Sequence, residues 1–174
     1  MASATRNSAR LCFALVNRTE DFVMRRPGWL IPPVYLLFTI AATAALHHTI
    51  PITHILRSGA ADLIGIASIV LGTFVSAMGA GLFKRAGTAV KPFEPATTLV
   101  RTGLYRYSRN PMYIGLLLVS FGVAIIFGTV SAFAPPVIFF FILRNQFVLP
   151  EEQFLEETFG EEYRQYKEGV RRWI

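Results

Sequence analysis

The stretch GLYRYSRNPMYIGLLL, residues 103–118, decides how this chain is read. A basic, aromatic loop runs without a break into a strongly apolar segment through Arg109-Asn110-Pro111. Two arginines and three tyrosines at the mouth of a membrane helix suit a place where a charged, water-soluble ligand meets an oily one. The apolar run that starts here continues over residues 112–149, interrupted only by Arg144, Asn145 and Gln146 near its end. A membrane helix needs about 17–25 apolar residues, so this run is too long for one span. Gly128-Thr129 lies near its middle, and the simplest arrangement is a helical hairpin. Its first arm, 112–127, is short, and Pro135 and Pro136 are expected to kink the second.

Working outward, residues 29–46 and 63–83 form two further apolar runs. Pro32 and Pro33 are confined to the first turn of the earlier one, where proline is tolerated. Of the 174 residues 53% are hydrophobic and only 16% charged, against about 25% charged in an ordinary soluble domain. Mean hydropathy is +0.45. The expected fold is an all-α integral membrane protein with about four transmembrane helices, including the C-terminal hairpin. A single domain over 1–174 is expected: an interfacial segment at 1–27, two spans within 28–83, and a loop, hairpin and final helix within 84–174.

Lysines and arginines orient this arrangement. Five precede the first span, six lie between Lys84 and Arg109, and five follow from Arg144 onward. Only Arg57 falls on the other side, so the positive-inside rule puts both ends in the cytosol. The net charge of +6 then reflects topology and attraction to anionic lipid headgroups, and no nucleic-acid partner is expected. Residues 1–27 are expected to lie on the membrane through Leu11, Phe13, Leu15, Phe22 and Val23. Cys12 is the only cysteine, which excludes an internal disulfide or a cysteine metal cluster. His47, His48 and His54 share a short outer loop without a matching acidic group, so no metal is expected. Gly65, Gly72, Gly79 and Gly81 are expected to let helices approach closely.

The hairpin's nearly equal arms return its ends to one membrane face. Arg109, Asn110 and Tyr113 should therefore meet Pro150, Glu151 and Glu152. Beyond Pro150, which is placed to open a helix, Leu155, Phe159, Tyr163, Tyr166, Val170 and Trp173 recur at helical spacing. At about 100° per residue, Glu151 and Glu152 project along that apolar stripe, and Glu157 and Glu161 away from it. The arithmetic assumes a continuous helix, which Gly160 would interrupt. An acidic first turn also suits a helix N-terminus in general, but here the acids face a basic hairpin partner.

Arg109-Asn110-Pro111-Met112-Tyr113-Ile114-Gly115 resembles the Arg-His-Pro-x-Tyr-x-Gly motif of isoprenylcysteine carboxyl methyltransferases and the related phospholipid methyltransferases. Glu151-Glu152-Gln153-Phe154-Leu155, followed by Phe159-Gly160-Glu161-Glu162-Tyr163 and Tyr166, resembles the second motif of that family. The likeness covers about residues 84–174, and the approach through Gly87, Pro92, Pro95 and Gly103 resembles the bacterial branch. It implies a membrane enzyme of the bacterial cytoplasmic membrane that uses S-adenosylmethionine and methylates a lipophilic or lipid acceptor. It implies Arg109 and Glu152 as catalytic residues. It further implies cofactor contacts from Tyr105, Asn110, Pro111, Tyr113, Gly115, Glu151, Glu152, Leu155, Tyr163 and Tyr166. Asn110 departs from the family's histidine. An amide keeps a donor and an acceptor but does not titrate near neutral pH, so an orienting role is expected there. The expected reaction is in-line attack of an acceptor lone pair on the methyl carbon. A carboxylate acceptor would need no base, whereas an amine would need one or a water path. Two other readings stay open: an NADPH-dependent membrane reductase of the sterol-reductase type, and a non-catalytic membrane scaffold or transporter subunit. The acceptor's identity and the oligomeric state are open at this stage.

Overall fold

The computed structural model describes residues 31–56, 58–87 and 98–174. The expected interfacial segment at 1–27, Trp29 at the start of the first span, and Pro92 and Pro95 of the approach loop lie outside the described residues. Within them the architecture is helical, apart from an isolated antiparallel bridge between His54 and Thr129.

Helix α1, Pro32–Thr49, begins with Pro32 and Pro33 in its first turn, as expected. Its buried threonines would be costly in apolar surroundings. Each returns its hydroxyl hydrogen to the preceding turn, Thr39 to the Tyr35 carbonyl and Thr43 to the Thr39 carbonyl, both at 2.8 Å. Helix α2, Gly59–Arg85, is capped by Ser58, whose side chain accepts from the Ala61 N–H at 3.2 Å. Its 27 residues rise about 40 Å, more than the ~30 Å hydrocarbon core of a bilayer. Leu63, Ile64, Val70 and Phe74 stand exposed along it, the surface a helix offers to lipid rather than to water.

Helix α3, Pro111–Phe127, runs antiparallel to α2. A Cβ on Gly65 would meet the Gly122 carbonyl, one on Gly72 the Gly115 carbonyl, and one on Gly79 the Met112 side chain. Glycines seven residues apart on α2 thus lie directly against α3, two of them on its glycines and the third under Met112. The two backbones come close enough for Ser68 and Ser76 to donate across to the Leu118 and Met112 carbonyls at 2.8 and 2.9 Å. Gly81 differs from the other three, since nothing lies near the position of its Cβ.

Gly128 ends α3 in the left-handed region at φ +67, and its carbonyl accepts from the Ile55 and Leu56 N–H groups. A Cβ at Gly128 would run into the Leu56 carbonyl oxygen, so the reversal needs glycine twice over. The expected turn is therefore present. After a 3-10 turn, Val130–Phe133, helix α4 spans Ala134–Leu143. Pro135 and Pro136 occupy its first turn. They start the helix and do not kink it, because their missing N–H groups fall where no intrahelical bond is made.

Pro150 stands in the first turn of α5, Leu149–Phe159, as expected of a proline that opens a helix. The unforeseen feature is the π-helical turn, Arg144–Val148, that joins α4 directly to α5. The wider turn accommodates a proline that has no N–H to donate and whose ring crowds the preceding turn. Val130–Phe159 is thus one helical run, and it and Gly59–Arg85 are the two described helices long and apolar enough to cross a membrane. Gly160, at φ +55, breaks the expected continuous final helix and separates α5 from α6, Glu161–Gly169. Tyr113, Phe139, Leu143, Phe147 and Val148 form the buried core, with Tyr35, Leu36 and Trp173 packed on it. That core joins α1, α3, α4, the π turn and residues 170–174 directly beside the polar site.

Candidate active site

The loop before α3 sorts its aromatics by burial. A 3-10 turn, Gly103–Arg106, points Tyr105 inward against Phe83, with ring centroids 5.2 Å apart. Tyr105 is 4% exposed and Tyr107 78% exposed, so only Tyr107 stands as an interfacial belt residue would. Asn110 is the cap residue before Pro111. Its side chain does not cap the helix. Nδ2 donates to the Arg172 carbonyl at 3.0 Å, and Ser108 donates to the same oxygen at 3.3 Å. The Arg109 N–H donates to the Arg171 carbonyl at 3.0 Å. Residues 108–110 therefore hold residues 171–172 by three bonds to backbone oxygens.

The two acids arrive from the other end of the hairpin. Glu151 accepts from the Tyr113 hydroxyl at 2.7 Å. Glu152, 6% exposed, accepts from Arg172 through Nε and Nη2 at 2.9 and 2.8 Å, a bidentate pair. Arg109 Nη2 lies 3.2 Å from the same carboxylate. The Nε and Nη1 of Arg109 are buried and have no hydrogen-bond partner. Buried guanidinium hydrogens are costly to leave unmet, so this group is poised for an anionic or strongly accepting ligand.

A layer of phenols lies behind the charges. Tyr166 donates to the Tyr105 carbonyl at 2.7 Å, and Tyr163 packs beside Tyr166 with centroids 6.0 Å apart. Burial pushes the Tyr166 hydroxyl up to about 12. Burial first, then the neighbouring Glu152 carboxylate, raises Tyr163. Burial, then Glu151, raises Tyr105. All three stay neutral at physiological pH, so they act as hydrogen-bonding and packing groups and not as anions.

Two cavities adjoin this constellation. A polar one of about 360 Å³ is lined by Leu149, Glu152, Gln153, Glu156, Glu157 and Lys167. An apolar one of about 490 Å³ lies between α1, α2 and α3, lined by residues including Leu36, Ser76, Ala77, Met112, Tyr113 and Leu116. Glu152 borders the first and Tyr113 the second, and Tyr113 is bonded to Glu151, the neighbour of Glu152.

The family profile described as phospholipid methyltransferase matches residues 61–162. The chain belongs to the phospholipid methyltransferase family. It is therefore a methyltransferase by family, and its two membrane-length helices associate it with a membrane. An uncharacterised protein of Haemophilus influenzae is 38% identical over 63 residues, which is 36% of this chain and all of that one. No solved structure matches.

The phospholipid methyltransferase match contains Arg109, Asn110, Pro111, Tyr113, Gly115, Glu151, Glu152 and Leu155, and stops just before Tyr163 and Tyr166. The fold brings Arg109, Tyr113, Glu151 and Glu152 together as the hairpin reading required. Asn110 is present but is spent on the Arg172 carbonyl. Pro111 is buried at the start of α3, and Leu155 is half-buried on α5. Gly115 lies elsewhere: it faces Gly72 and Ser76 of α2, where the lack of a Cβ permits close helix packing. Sequence reasoning missed Ser108 and Arg172. In the sequence Arg172 is one more cytosolic charge, and no periodicity ties it to an acid twenty residues earlier. Among the described residues no group of three or more histidines, cysteines or acids is placed to hold a metal ion.

Proposed function

We propose that this chain transfers a methyl group from S-adenosylmethionine to a lipophilic acceptor at the cytosolic membrane boundary. The observation that carries this reading is Arg109, buried with two unpartnered N–H groups beside Glu152. A carboxylate suits those donors, an ammonium or ribose hydroxyl suits Glu152, and the buried tyrosines suit an aromatic ring. S-adenosylmethionine carries all of these groups, and when bound it supplies a methyl group on a positively charged sulfur. The polar cavity beside Glu152 would admit a charged ligand from the aqueous side, while the apolar cavity would admit an oily acceptor sideways from the membrane.

Hydrogen-bond bookkeeping narrows the acceptor. Ser76 gives its hydrogen to the Met112 carbonyl, Thr73 to the Ile69 carbonyl and Tyr113 to Glu151. The apolar cavity's hydroxyls therefore offer lone pairs and not hydrogens. An acceptor headgroup with its own N–H or O–H fits that wall better than a bare carboxylate. Tyr113 orients such a group, and the Tyr113–Glu151 pair is where its proton would go. Four membrane crossings with both chain ends cytosolic complete the reading, supported by the distribution of basic residues.

Thermal unfolding in detergent tests the cofactor. S-adenosylhomocysteine at about 100 times its dissociation constant should stabilise the protein by about 2.7 kcal/mol, and NADPH should not. Stabilisation by NADPH alone would instead establish a reductase. Tyr113→Phe keeps the ring on Phe147 but removes the bond to Glu151. Turnover with a lipid extract and labelled S-adenosylmethionine should fall about tenfold or more, while affinity for S-adenosylhomocysteine stays within about threefold. Equal turnover would remove Tyr113 from the reaction.

A further inference from the structure

Glu152 is nearly saturated before any ligand arrives. A carboxylate has about four lone-pair positions. Arg172 Nε and Arg109 Nη2 share one oxygen, and Arg172 Nη2 takes the other. One position stays open on Oε2, so a cation that is to engage both carboxylate oxygens must displace one of these donors. Arg109 is fixed on the loop at the mouth of α3, and its side chain is 9% exposed. The Arg172 side chain is 33% exposed, and its backbone is held independently of its guanidinium. The Arg171 and Arg172 carbonyls are gripped by Arg109 N–H, Asn110 and Ser108. Trp173 packs on Phe140 with ring centroids 5.3 Å apart. The guanidinium can leave while the main chain stays in place.

We propose that Arg172 is an internal cation occupying the subsite on Glu152 that an ammonium-bearing ligand takes over, so that this residue sets the ligand's charge requirement. Exchange of one cation for another leaves the buried carboxylate compensated throughout. A neutral ligand offers no such compensation and leaves Arg172 in place, because an under-paired buried carboxylate is costly. The polar cavity beside Glu152 gives the displaced guanidinium an aqueous route. Asn110 then has a role that histidine is not needed for: it holds the Arg172 carbonyl while the side chain moves. The inference rests on the S-adenosylmethionine reading of this site.

Competition from a residue of the same chain lowers the apparent affinity by the fraction of molecules in which the subsite is open. Removing the competitor should raise it. We expect Arg172→Gln to bind S-adenosylhomocysteine about tenfold more tightly than the wild type in isothermal titration. The unliganded variant should melt at a lower temperature, since Glu152 loses its bidentate partner. Arg172→Lys, which keeps the charge but loses the fork, should fall between the two in affinity. A merely structural arginine would give the opposite affinity change, because its loss would loosen the site. Weaker or unchanged binding by a folded Arg172→Gln, with wild-type binding intact, overturns the proposal and leaves the cofactor reading standing. Binding by the variant but not by the wild type supports it in its strongest form. Binding by neither protein overturns both readings together.

Discussion

Glu152→Gln is expected to lose affinity for S-adenosylhomocysteine by about a hundredfold or more, and to lose stability as well. The affinity loss follows from replacing a charge-assisted contact with a neutral amide in a buried place. The stability loss follows from what stays behind. Glu152 compensates Arg109 and Arg172, and the Arg109 side chain is 9% exposed. Breaking a buried pair by removing one partner costs about 3–5 kcal/mol. The lower end applies here, because Arg172 is one-third exposed and can turn to water. The two losses are separable. Arg109→Met combined with Glu152→Met removes the buried charge and its partner together, which is often neutral for stability. That double variant should melt nearer to wild type than Glu152→Gln does, yet show no binding by titration. If Glu152→Gln bound the ligand with wild-type affinity, the cofactor pocket assigned to this carboxylate would be wrong.

The meeting of Arg109 with Glu152 was legible in the sequence because it depends on two robust quantities. One is the length of the apolar run at 112–149, which exceeds one membrane crossing. The other is a glycine near its midpoint that permits a reversal. The inward aim of Glu151 and Glu152 followed from helical arithmetic, and it survives the break at Gly160 because both acids precede it. What the sequence did not show was how the elements join. Pro150 marks the start of α5, but nothing in the sequence announces the π turn, Arg144–Val148, that fuses it to α4 and carries Phe147 and Val148 of the core. Arg172 was illegible for a related reason. The helix ends at Gly169 and Val170 is extended, at φ −131 and ψ 129, so helical spacing says nothing about where the next side chains point. Gly115 falls inside a motif whose Arg109 and Tyr113 meet the acids, yet it faces Gly72 and Ser76 of α2. Its neighbours on α2 are visible only when two helices are placed side by side.

That glycine contact yields the second large effect. At Gly72 an added Cβ would lie 2.5 Å from the Gly115 carbonyl oxygen and 2.9 Å from both the Val119 nitrogen and the Leu118 Cβ. Two of those three atoms are backbone, so no rotamer change relieves the clash and the helices themselves must separate. Gly72→Ala should cost about 1–3 kcal/mol through overpacking. Gly72→Leu should exceed that range and prevent recovery of a monodisperse protein in detergent. Separation would also stretch the Ser68–Leu118 and Ser76–Met112 bonds and shift the start of α3, which carries Tyr113. Gly81 supplies the control on the same helix. Nothing lies near its Cβ position, so Gly81→Ala gains helix propensity of about 0.5–1 kcal/mol without a clash. One chemical change, nine residues apart on α2, should therefore move the melting temperature in opposite directions. A Gly72→Ala protein as stable as Gly81→Ala would mean that α2 and α3 do not touch through these glycines.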